Sequence, residues 1–160
     1  MTQPISIRAF AEHLLKVGAV IKLAERPALR AAGKIVRDEA RSEIGHYQPA
    51  RGPFGAWAPL ADSTLAEKMN LGYAPPDNPL LRTGDLRASI GYTVTWSPAG
   101  ASVHIGSDAV QARILEMGDN HIPPRSYLGG ALVKERDQAV GAAMTILWAA
   151  WRTTRPASSK

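Results

Sequence analysis

The chain has 160 residues, 45% hydrophobic and 21% charged, with no cysteine and a net charge of +5 at pH 7. This length suits one domain that buries about two-thirds of its unfolded surface without a staple, and the lack of cysteine excludes a disulfide scaffold and any thiolate metal site. The positive charge favours polyanions through counterion release, but it is dispersed along the chain, as a solvated surface requires.

Met1-Thr2-Gln3-Pro4 lacks the basic and then apolar pattern of a signal peptide. The longest apolar run, Val140 to Trp151, is interrupted by Gly141 and Thr145 and falls short of the roughly 18 residues of a membrane span. No membrane partner is expected.

Phe10, Leu14, Val17 and Ile21 recur at helical steps and predict a helix from Ile7 to about Leu23, capped by Ser6. Pro27 suits the first turn of a second helix and predicts a break near Glu25 to Pro27. Leu29, Ala32, Val36 and Ile44 line the buried side of that second helix, Arg37, Asp38, Arg41 and Glu43 its outer side, and Gly45 stops it. From His46 to Pro79 proline and glycine dominate, which predicts a long irregular arm with a helical turn or two over Ser63 to Met69. Trp57 and Tyr73 in this arm predict docking, on the chain's own core or on a neighbour.

Thr83 is expected to cap a short helix over 83–90, with Asp85 in its first turn. Tyr92, Val94 and Trp96 alternate with threonines, and Val103 and Ile105 flank His104. With Ser97-Pro98-Ala99-Gly100 between them, these runs predict a hairpin with one apolar face. Val110 to Met117 predicts a short helix ended by Gly118. A closing helix follows over Ser126 to Trp151, its buried stripe marked by Leu128, Leu132, Val140, Met144, Leu147 and Trp151. The expected fold is α+β: a small antiparallel sheet against long N- and C-terminal helices, one domain over 1–151, with 152–160 a basic flexible tail.

No chemistry assembles from these residues. The four histidines, His13, His46, His104 and His121, have no metal-ligand spacing, and no G-x-S-x-G or P-loop is present. Glu116, Asp119 and His121 form the most enzyme-like cluster, but a helix end, a turn and a lead-in to Pro123-Pro124 account for them. Catalytic residues, metal ligands and cofactors are all expected to be absent.

Five strings nonetheless occur in a telling order: Trp57-Ala58-Pro59-Leu60 with Thr64 and Lys68; Leu80-Leu81-Arg82-Thr83-Gly84-Asp85-Leu86-Arg87-Ala88-Ser89-Ile90; Gly106-Ser107; Ala112-Arg113-Ile114-Leu115-Glu116-Met117-Gly118; and Pro123-Pro124-Arg125-Ser126-Tyr127-Leu128. Together they resemble the virion morphogenesis and tail-completion proteins of long-tailed bacteriophages. The resemblance implies a structural neck subunit, made in the host cytoplasm and carried in the virion at the head–tail junction or upper tail. It also implies assembly with copies of itself, as a ring, and with other neck or tail proteins, in non-specific contact with passing DNA. Trp57, Leu60, Arg82, Thr83, Gly84, Asp85, Leu86, Arg87, Glu116, Gly118, Pro124, Arg125 and Tyr127 are the expected interface or structural residues. Arg82, Asp85 and Arg87 are read either as cross-interface pairs or as a solvated helix start, and Arg125 as a lock onto the Glu116 turn. The competing reading from another class is a basic DNA-binding module, with the C-terminal helix and tail on the duplex.

Overall fold

A computed structural model describes residues 6–97 and 100–155. In chain order the elements are α1 (Ile7–Glu43), α2 (Asp62–Asn70), α3 (Asp85–Ser89), β1 (Ile90–Ser97), β2 (Gly100–Ser107), α4 (Ala112–Met117) and α5 (Tyr127–Arg152). The fold is α+β, with α1 and α5 packed lengthwise and the hairpin laid on α1. Among the described residues no helix is long and apolar enough to cross a membrane.

Ser6 Oγ accepts the Ala9 amide at 3.1 Å and opens α1 as expected. The break at Pro27 does not occur: α1 runs through it as one helix of 37 residues. Proline removes one backbone bond and clashes with the preceding turn, at a cost of about 3 kcal/mol. Ala24 and Ala28 on either side are buried, so tertiary packing overrides the local preference. The helix ends at Glu43, and Gly45 at φ 101° turns the chain away.

The pairing of α5 with α1 corrects the predicted stripe. Tyr127, Gly130, Ala131 and Ala139 are the buried residues of α5. Leu132, Val140 and Met144 are about half exposed on it. Small side chains bring the two helix axes close; of the expected stripe Leu128, Leu147 and Trp151 are partly buried, while Leu132, Val140 and Met144 point outward. The salt bridge of Lys134 to Glu39 and the closeness of Gly130 to the Glu43 carboxylate set an antiparallel register.

The hairpin matches its alternation. Tyr92 pairs with Ile105, Val94 with Val103 and Trp96 with Ala101. A Cβ at Gly33 would lie 2.7 Å from Val103 Cγ2, so only glycine lets the sheet approach α1 this closely. Arg41 of α1 donates to the Ile90 and Ala88 carbonyls at 3.0 and 3.1 Å and fixes the start of β1. Of the four-residue turn expected at 97–100, Pro98 and Ala99 lie outside the described residues, as do residues 1–5. Arg152 closes α5 instead of opening the tail, residues 153–155 follow as a turn and bend in which Thr154 is buried, and 156–160 lie outside the described residues.

The segment over 46–79 is a loop closed at its base, where the Gly45 amide donates to the Pro79 carbonyl at 2.9 Å. It carries α2 where a helical turn or two was expected. Trp57 is buried in the core cluster with Ile44, Leu86, Ile90 and Tyr127, so its docking partner is the chain's own core. Each such side chain contributes roughly 1.5–3 kcal/mol on full burial.

Candidate functional site

Four of the five motif strings, far apart in sequence, meet around one cleft of about 560 Å³, while Gly106-Ser107 ends β2 away from it. Pro59, Leu60, Thr64 and Lys68 form one wall, Leu80 to Leu86 a second, and Leu115 with His121 to Pro123 and Arg125 a third. Leucine, isoleucine and proline supply eight of the nineteen lining residues, and Lys68, Arg82, Asp85, His121 and Arg125 are among the rest. Leu80 holds φ 61°, a left-handed conformation rare for a branched side chain.

Arg125 joins two of the strings. It is buried, and its Nη2 donates to the Ala58 carbonyl at 2.9 Å and to that of Pro59 at 3.3 Å. The expected lock onto Glu116 is therefore not made. A guanidinium with five donors suits paired backbone carbonyls, and the loop after Trp57 presents two of them. Lys68 behaves alike: it is buried and donates to the Asn78 carbonyl at 2.6 Å. Burial, and then the Arg82 charge, pull its amine below the usual lysine range.

Glu116 has a different task. Its Oε2 accepts the Leu128 amide and its Oε1 the Gly129 amide, both at 2.9 Å. These are free N–H groups of the first turn of α5, so a carboxylate from α4 supplies the cap that Ser126 does not make. Ser126 instead donates to the Glu116 carbonyl at 3.0 Å. Glu116→Ala is expected to cost about 2 kcal/mol in urea unfolding, since two amides lose their acceptor. Amide exchange at Leu128 and Gly129 should speed up, and unchanged exchange there would refute the cap.

The remaining motif residues fall into place around this joint. Gly118 ends α4 at φ 73°, with Pro124 against it. Tyr127 is fully buried; burial, and then the Glu116 charge, push its hydroxyl up to about 12 and keep it neutral. Leu86 is buried in the core. Thr83 is not the N-cap residue of α3, a position Gly84 holds at φ 93°, but its Oγ1 accepts the Asp85 amide at 3.4 Å and donates to Asp85 Oδ2 at 2.6 Å. Arg82 pairs with Glu67 of the same chain at 2.8 Å, and Asp85 and Arg87 are exposed on α3.

The enzyme-like trio does not converge. Glu116 is occupied by α5, while Asp119 Oδ1 accepts the His121 and Ile122 amides at 2.7 Å each. Those two bonds hold the Asp119 carboxyl below its ordinary range. Among the described residues no three His, Asp or Glu side chains gather as metal ligands.

Sequence reasoning missed one cluster. Glu43, read as outward-facing, is buried and salt-bridged to Arg51, with Glu39 and Lys134 alongside. The signal was present in the steps Val36, Ala40, Glu43, which put the carboxylate on the core face. No protein-family model, curated protein or solved structure matches this chain.

Proposed function

We propose that the chain is a structural subunit of a long-tailed phage particle, acting in head–tail joining or tail completion, and that it carries out no catalysis. The observation that carries this reading is the use made of the four motif strings around the cleft. Arg125 ties the Trp57 loop to the lead-in of α5, and Glu116 caps that helix, so both charged groups are spent on backbone atoms. A reacting site needs such groups free to meet a substrate. A building block needs them to hold its own shape. The cleft they frame exposes more apolar than polar surface and suits a side chain or short segment of an adjoining subunit.

A second reading, a basic DNA-binding module, has one feature in its favour. Arg152 stacks over Trp148 and Arg155 over Trp151, which makes the end of α5 both aromatic and cationic. Duplex binding that falls steeply with salt would support it. The virion reading is tested by whether the chain occupies the head–tail junction or tail top of purified particles.

A further inference from the structure

The Lys134–Glu39 bridge and the approach of Gly130 to Glu43 fix how α5 lies along α1. Carried along both helices, that register ends α5 level with about residue 21 of α1. The first 14 or so residues of α1 therefore project about 21 Å beyond their partner helix. Burial agrees, since the first buried residue of α1 is Ala24.

This projecting arm is not a polar helix. Ile7, Phe10 and Leu14 continue, at helical spacing, the face that carries Ala24 and Ala28, and all three are at least half exposed. Helix α5 has the complementary excess. Residues 138–151 contain no charged side chain, although α1 covers one face only. On the outer face Val140, Met144 and Trp148 stand one turn apart and are at least half exposed. A helix apolar all round belongs inside a bundle.

We infer that the arm of one copy packs along the outer face of α5 in a second copy. The two faces match in length, at about 14 residues each. They cannot meet within one chain, because α1 is continuous through Pro27 and the arm points past the end of α5. A second copy is the occupant that supplies both halves at once. Each copy then uses both of its faces, whether two copies exchange arms or a series closes into a ring. Two helix pairs of this length bury on the order of the 800 Å² per partner of a standard interface. The contact names a surface for the self-assembly in the virion reading, yet it stands without that reading. Its failure would leave the particle location untouched.

The chain lacks cysteine, so cross-linking is clean. Leu14→Cys and Met144→Cys proteins, mixed and mildly oxidised, should give a disulfide-linked dimer that neither variant gives alone. Native mass spectrometry of the full chain should show an oligomer at micromolar concentration. Met144→Asp, an exposed position, should give monomers with an unchanged circular dichroism spectrum. A monomeric wild type, an oligomer without the 14–144 cross-link, or a cross-link with Leu14→Cys alone would each overturn the contact.

Discussion

Gly118→Ala should destabilise the chain by roughly 3–5 kcal/mol in chemical unfolding. Gly118 sits at φ 73° and ψ 175°, backbone that side chains with a Cβ avoid. An added Cβ would also lie 2.7 Å from the Pro124 nitrogen and 2.8 Å from the Ile122 carbonyl oxygen. These are backbone atoms, so the turn itself must shift. That turn sets Arg125 against the Trp57 loop and α5 against Glu116, so the strain reaches the joint between the motifs. Gly141→Ala is the control: its Cβ meets open space inside α5, and it should stabilise by about 0.5–1 kcal/mol. A Gly118→Ala protein as stable as wild type would mean that the turn is not built this way.

The second large effect is a pH dependence centred on Glu43. Burial pushes its carboxyl from 4.5 up to about 7, against the opposing pull of Arg51, and Glu39 adds to the rise. Unfolding returns the group to the ordinary value. Between 4.5 and 7 the folded chain therefore binds more protons than the unfolded one. Stability contributed by the protonated form is fully present below the lower value and is lost as pH rises to the upper one. The loss is on the order of 3 kcal/mol. Glu43→Gln should flatten that decline and leave the variant relatively more stable above pH 7. Equal slopes in the two proteins would contradict the assignment.

Strong periodicity was legible. The alternation of Tyr92, Val94 and Trp96 with threonine specified the hairpin and its pairing, and the helical spacing after Ser126 specified α5. Misreadings arose where tertiary contact outweighs a local rule. Pro27 is a breaker by local chemistry, but burial of Ala24 and Ala28 keeps the helix whole. In α5 the bulky residues marked the buried side only in part, Leu132, Val140 and Met144 being half exposed, because close helix approach selects alanine and glycine for the contact. Glu43 and Arg125 find their partners in the irregular loop, whose path no periodicity encodes. Four of the motif strings lie far apart in sequence, and their meeting around one cleft appears only in three dimensions.

Electron microscopy of purified phage particles carrying a tagged copy of the chain is the most direct measurement. Tag density at a single site, at the head–tail junction or the top of the tail, is the expected result. Particles of normal length and infectivity that contain none of the chain would contradict its role as a virion building block.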